Sequence, residues 1–344
     1  MHPIDQELNL MIRGRFDEAW KISEELEKTE PNNLRHVFNR GWFLINQGKF
    51  QEGFQALEAG RFLNVYGSRK IPTDKPIWKK QDLTDKIVII ALEAGYGDQI
   101  IFARFATEIK NLGGKCILCC DKSLHAMFSR IEGVEKCITL NEVRETYHDY
   151  WIPGFSCSWL FGHTFETLPN KPYLSANPLS VPLWKTMLNS KKIKIGIRWS
   201  GNPKFEHQQF RIFPPEPLIN FHKYDELQLY SLQRDSDLRE LPESISDLQH
   251  LLLSWEDTAA AIENLDLVIT SCTGIAHLAS AMGKPTWVIV PILPYHVWAY
   301  GEDHSPWYQN TTKIYRQKKF GDWTETFEKL ENDLIEKFDL KRKD

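Results

Sequence analysis

Ile87-Val88-Ile89-Ile90-Ala91-Leu92-Glu93-Ala94-Gly95-Tyr96-Gly97-Asp98-Gln99-Ile100 is the stretch that decides the fold. Five apolar residues run into a turn with two glycines, and helical periodicity continues over 98–111. Strands that are apolar on both faces and alternate with helices are what a parallel sheet covered on both sides demands. The pattern repeats outward: 116–120 reads as a strand, 123–131 as a helix and 137–140 as a strand, until a proline-rich stretch at 168–182 interrupts it. It restarts at 193–199, and 227–232, 267–270 and 286–290 read as further strands, with helices at 257–264 and 274–282. The fold class is therefore α/β, with two successive Rossmann-like lobes and ligands expected beyond the carboxyl ends of their strands.

A different pattern precedes this one. Gly14-Arg15-Phe16-Asp17-Glu18-Ala19-Trp20 recurs 34 residues later as Gly48-Lys49-Phe50-Gln51-Glu52-Gly53-Phe54. In such a repeat the first glycine ends a helix, the aromatic packs between helices, and the small residue (Ala19 or Gly53) lets them approach closely. The period and offsets resemble the tetratricopeptide repeat. Two copies fall short of a free-standing stack, so the helical unit is expected to dock on the next domain. The expected boundaries are 1–67 for the helical unit, 68–175 and 176–322 for the two lobes, and 323–344 for a terminal helix.

Composition narrows the class. Of 344 residues, 42% are hydrophobic and 26% charged, and 42 Lys plus Arg against 46 Asp plus Glu give a net charge of -4. That balance opposes a chain built to coat nucleic acid. The longest apolar runs are too short for a membrane span, and the first residues show no basic-then-apolar leader, so a cytoplasmic location is expected. Six cysteines make no disulfide framework at this length. Cys116 and Cys119 have redox or zinc spacing, but residues three apart on a strand face opposite ways.

Three strand-to-helix turns carry candidate chemistry. In the first, Glu93, Gly95 and Gly97 lead to Asp98 at a helix start, where a carboxylate serves as cap or as functional group. The second is Trp199-Ser200-Gly201-Asn202-Pro203, preceded by Arg198 and followed by Arg211, a set able to cradle phosphate. In the third, Thr273-Gly274 opens a helix whose N–H groups and dipole attract anions, with His277 one turn further on. Asp235-Ser236-Asp237 has D-x-D spacing, but its Arg-flanked polar setting reads as a solvated loop, and Asn310-Thr311-Thr312 is expected to stay unmodified.

Together with Ile77-Trp78 and the segments 196–214, 266–285 and 303–323, these turns resemble the bacterial tetratricopeptide-repeat glycosyltransferases. Those are relatives of the lipopolysaccharide heptosyltransferases and, more distantly, of the O-linked N-acetylglucosamine transferases. The resemblance implies a GT-B architecture, in which the terminal helix commonly packs back toward the first lobe. It implies a metal-independent, inverting transfer of a sugar from a nucleotide-sugar, with no cofactor. It makes Asp98 the general base. It puts Arg198, Ser200, Gly201, Asn202, Arg211, Thr273, Gly274 and His277 on the donor side, and Glu93, Gly95 and Gly97 on the acceptor side. The acceptor is a glycan, a lipid-linked saccharide or a protein. One position departs from the family: Cys272 stands where most relatives carry Asp. That departure favours an alternative, a catalytically degenerate scaffold that binds a protein partner through its helices. A nucleotide-sugar epimerase or hydrolase would need a second acid–base motif, and none is evident.

Overall fold

Gly14 and Gly48, equivalent positions of the repeat, both adopt left-handed backbone with φ of +77° and +79°. Each follows a helix: α1 (Pro3–Ile12) and α3 (Leu34–Asn46). The next helices, α2 (Phe16–Thr29) and α4 (Phe50–Leu57), start on the equivalent aromatics, and α5 (Ala59–Phe62) follows. Gly53 is small because α3 leaves no room: a Cβ there would lie 2.6 Å from Ile45 Cγ1 and 3.2 Å from the Gly41 carbonyl oxygen. The computed structural model describes residues 1–66, 71–203, 208–234, 239–308 and 311–341.

The chain forms two compact units, Met1–Met11 with Arg15–Ser175, and Ile12–Gly14 with Ala176–Asp344. The helices thus share a unit with the first sheet. Phe50 meets Phe165 edge-on at 4.9 Å between ring centres, and Gln51 donates to the His163 carbonyl at 2.6 Å.

The first sheet contains β1 (Ile87–Ala91), β2 (Lys115–Cys119), β3 (Val134–Ile138) and β4 (Tyr150–Pro153), all parallel, in the order β3-β2-β1-β4. Ile89, Ala91, Ile117 and Cys119 pack on one face, which leaves Cys116 on the other by alternation. The helix expected over 98–111 is broken into α6 (Tyr96–Ala103) and α7 (Ala106–Asn111). Side chains cause the break. The Tyr173 hydroxyl donates to the Ile100 carbonyl at 2.7 Å and Arg104 Nε to the Ile101 carbonyl at 2.9 Å, taking acceptors that the next helical turn needs.

The second sheet contains β5 (Ile193–Arg198), β6 (Leu227–Ser231), β7 (Ile245–Asp247), β8 (Leu267–Ser271), β9 (Thr286–Val290) and β10 (Thr312–Arg316). Its order β10-β9-β8-β5-β6-β7, parallel throughout, is the doubly wound order of dinucleotide-binding folds. Strand order reverses between β5 and β8 here, and between β1 and β4 in the first sheet. The two-sheet α/β architecture matches expectation. The helix Thr324–Phe338 buries Phe327, Leu330 and Leu334 in the core of the second sheet with Ile195, Leu229 and Ile269, within the second unit. Among the described residues no helix is long and apolar enough to cross a membrane.

The Gly53 packing is directly testable. Alanine in a helix interior is favoured over glycine by roughly 0.5–1 kcal/mol, whereas overpacking costs roughly 1–3 kcal/mol. Gly53→Ala is therefore expected to lower the urea midpoint; a raised midpoint would show that α3 and α4 can part without penalty.

Candidate functional site

In the first unit the turn after β1 takes its shape from Ala94, which has φ of +57°. The left-handed residue is the alanine, while Gly95 is extended at φ -80° and Gly97 lies within α6. A non-glycine residue there is strained and persists only where its surroundings hold it. Its N–H donates to the Tyr66 carbonyl at 3.2 Å. Beside it Glu93, whose side chain is 9% exposed, pairs with Arg61 and accepts from the Phe155 N–H at 3.4 Å. Burial raises the Glu93 pKa, and the Arg61 charge opposes that rise. Asp98 occupies the third position of α6, and its Oδ2 accepts from the Gly95 N–H at 3.0 Å. The cap role is realised, with the carboxylate half-buried at the helix start.

In the second unit the reversal between β5 and β8 brings the other two turns together. A Cβ on Gly201 would lie 2.8 Å from Thr273 Cγ2 and 3.1 Å from Arg211 Nη2. Only glycine allows that approach, and Arg211 then donates through Nη1 to the Cys272 carbonyl at 2.8 Å. Thr273 precedes the helix Gly274–Ala281, whose first N–H groups have no side-chain cap from it. Asn202 is exposed. Arg198 is buried (7% exposed) and donates to the carbonyls of Ser200 and Leu232, both at 3.0 Å. It ties two strand ends together rather than presenting its charge.

Gln233 is a residue the sequence reading missed. Its Oε1 accepts from the Ser200 N–H at 3.2 Å and its Nε2 donates to Ser200 Oγ at 2.9 Å, a two-way clasp between the turns after β5 and β6. The available signal was its place as the first polar side chain after the apolar end of a strand. Two buried polar atoms near these strand ends, Ser271 Oγ and Trp199 Nε1, have no hydrogen-bond partner among the described residues. Trp199 lines a shallow recess with Ser231, Gln233 and Asp247. The D-x-D at Asp235 to Asp237 and Asn310 of the Asn-Thr-Thr pattern lie outside the described residues.

Below the third turn, His277 stacks on Trp298 with centres 5.0 Å apart and planes at 14°, and its Nδ1 lies 3.1 Å from the Tyr308 hydroxyl. Trp298 in turn donates its indole N–H to Cys272 Sγ at 3.0 Å. The thiol thus accepts a hydrogen bond within the turn. Trp298 and Tyr308 are distant in sequence from the turn they support.

No family model matches the chain. Among solved structures it resembles a glycosyl transferase family 9 protein from Veillonella parvula (TM-score 0.56, 14% identity, 74% of this chain and 91% of that one). It also resembles the E. coli ADP-heptose lipopolysaccharide heptosyltransferase II (TM-score 0.52, 13% identity, 73% and 99%). The likeness shows a shared fold. In sequence it is 24% identical over 331 residues to Protein FlbA of Caulobacter vibrioides, covering 84% of this chain. The chain spans 53% of the length of that relative.

His296, next to this cluster, offers a test of its packing. Burial, with His277 as a second cause, holds its pKa well below the ordinary histidine value. Between the two values only the unfolded chain binds the proton, so this contribution to stability is complete above about pH 6.5. It declines below that pH by at most about 1.4 kcal/mol per pH unit. His296→Leu is expected to flatten the fall in the urea midpoint between about pH 7 and pH 5. Parallel profiles for variant and wild type would remove His296 as a source of acid sensitivity.

Proposed function

We propose that the protein is a glycosyltransferase that moves a sugar from a nucleotide-sugar to a hydroxyl acceptor. The observation that carries this reading is the convergence of Gly201, Arg211 and the Thr273-Gly274 helix start at the strand reversal of the second sheet. Backbone N–H groups, a helix dipole and a guanidinium at one place favour a diphosphate. They also favour its departure, because charge builds on the leaving nucleotide as the glycosidic bond breaks. The buried Ser271 hydroxyl and Trp199 indole N–H support a polar ligand near these strand ends, since leaving such groups unsatisfied costs about 1–3 kcal/mol each. Nucleotide-sugar use is in keeping with the fold neighbour named for ADP-heptose.

Asp98 is the proposed base. A sugar hydroxyl is a poor nucleophile until its proton leaves, and a carboxylate within reach removes it as the bond forms. The bond from the Gly95 N–H fixes the orientation of the carboxylate. In this reading the reaction is a single inverting displacement without metal or cofactor, since the cationic charge comes from Arg211 and the helix start. We read the helices α1–α5 as a tetratricopeptide-like unit of a cytoplasmic enzyme. Ser200 serves the donor as placed by Gln233, Asn202 as an exposed side chain beside it, and His277 from beneath the turn. Arg198 acts through the backbone. Glu93, Gly95 and Gly97 shape the acceptor-side turn, and the acceptor is a glycan, a lipid-linked saccharide or a protein.

Cys272 favours the second reading, a degenerate scaffold that binds a protein through its helices. The bond from Trp298 to its sulfur argues for the first, because the turn keeps its anchor.

A thermal-shift titration with ADP, UDP, GDP, CMP and ADP-heptose, with and without EDTA, separates the two. Ligand at a hundred times its dissociation constant stabilises by about 2.7 kcal/mol. The expectation is a selective, EDTA-insensitive rise with one diphosphate, lost in Arg211→Ala. Asp98→Asn is expected to keep that rise and lose transfer. No rise with any of the five at millimolar concentration would establish the scaffold reading instead.

A further inference from the structure

The helical unit and the Asp98 turn are joined by a buried polar network within the first unit. Arg61, on α5, is its centre. One arm pairs with Glu93, Nε donates to Glu58 Oε2 at 3.2 Å, and Nη2 donates to Ser156 Oγ at 3.2 Å. Ser156 Oγ and Trp159 Nε1 both donate to Glu58 Oε1, at 2.7 and 3.1 Å. The Arg61 and Glu93 side chains are only 20% and 9% exposed. Burial works against the Arg61 charge, and Glu93 and Glu58 more than offset it, so its pKa stands above the ordinary arginine value.

A second tie runs beside the first. Tyr66, four residues beyond α5, stacks on Phe155 at 3.9 Å and accepts the Ala94 N–H on its carbonyl. The two ties grip adjacent residues, Glu93 and Ala94, at the strained point of the turn. From there the path to the carboxylate is short. The Ala94 carbonyl accepts from Gln99 Nε2 at 3.4 Å, the Gly95 carbonyl from the Gln99 N–H at 3.0 Å, and the Gly95 N–H holds Asp98. A left-handed alanine is strained and needs surroundings that over-determine it. Arg61 is what α5 contributes to that requirement.

We infer that Arg61 is a positioning residue for Asp98, so that the helical unit acts on the chemistry by fixing the catalytic turn. The inference rests on Asp98 as the base. The guanidinium fork matters because it engages Glu93, Glu58 and Ser156 at once, which a lysine ammonium cannot do in the same plane.

The test uses the full chain and needs no substrate. Hydrogen exchange over residues 93–99 and the 13C resonance of the Asp98 carboxyl are compared in wild type, Arg61→Met, Arg61→Lys and Glu58→Gln. Arg61→Met is expected to speed exchange over 93–99 about tenfold or more, to move the Asp98 resonance, and to leave β5–β10 unchanged. Arg61→Lys should restore both readouts in part. Glu58→Gln, which keeps the Arg61–Glu93 pair, should lower the melting temperature without moving Asp98. Since Arg61→Met strands Glu93 as a buried unpaired carboxylate, the double variant Arg61→Met/Glu93→Gln guards against simple misfolding. A lowered melting temperature with exchange over 93–99 and the Asp98 resonance both at wild-type values, in either variant, would falsify the inference and leave Arg61 a plain tie. Retained transfer in Asp98→Asn would instead remove the base reading, while the exchange result still decides what Arg61 holds.

Discussion

Both candidate sites of this protein depend on the reversal of strand order in each parallel sheet. At a reversal the connections from two neighbouring strands leave toward opposite faces, so the turns at their carboxyl ends are not roofed by a common helix. Their backbone groups must find partners elsewhere. In the second sheet the partners are side chains: Arg198 takes the Ser200 and Leu232 carbonyls, Gln233 takes the Ser200 N–H, and Arg211 takes the Cys272 carbonyl. With these bonds made, the helix start after Thr273, which takes no side-chain cap from that residue, stands at the reversal. The proposed anion cradle follows from this topology, with Gly201 as the local condition for it.

The same constraint acts in the first sheet with a different solution. Here the turns at the β1–β4 reversal are steadied from outside the sheet, by α5 and the Tyr66 carbonyl. A buried ion pair is an expensive way to build a contact, and apolar packing often does as well. What the pair adds is direction: Arg61 meets Glu93, Glu58 and Ser156 in one geometry and forces a register on the turn. The helical unit is accordingly integral to the first unit. Its close α3–α4 packing, enforced by Gly41 and Gly53, delivers α5 at a defined place.

The architecture was readable wherever a strand is buried on both faces. Ile87–Ala91 and Thr286–Val290 were legible to the residue, because each is a short run rich in β-branched residues bounded by turn signals. Tyr150–Pro153, Ile245–Asp247 and Thr312–Arg316 escaped. The last, Thr-Lys-Ile-Tyr-Arg at the sheet edge, has only two apolar residues, the second is three residues long, and the first ends in proline. The three turns were legible as strand ends that run into glycine, and two of them approach each other in the second unit. What local sequence could not carry is long-range side-chain chemistry. Gln233 and Trp298 are ordinary polar and aromatic residues until the fold sets them against Ser200 and Cys272, and the strain at Ala94 needs Arg61 and Tyr66 to sustain it. The bonds of Arg198 to the Ser200 and Leu232 carbonyls belong to the same class, since its neighbours in sequence suggest only a charge beside a candidate phosphate turn.

Cys272 shows how a thiol can hold a turn where a carboxylate would bring a charge. A carboxylate there would add a negative charge beside the turn that Arg211 grips, and that charge would oppose an anion bound at the same helix start. A thiol carries no such formal charge. It still accepts the Trp298 indole N–H at 3.0 Å, a weaker bond than a carboxylate would make. Trp298 does not depend on that bond alone, since it is fully buried and stacks on His277. The substitution therefore trades hydrogen-bond strength for a more positive local potential, and packing supplies the orientation that the carboxylate would have enforced. On physical grounds a thiol at 272 is compatible with the proposed anion at the Thr273-Gly274 helix start, and its effect falls on how firmly His277 and that helix start are held.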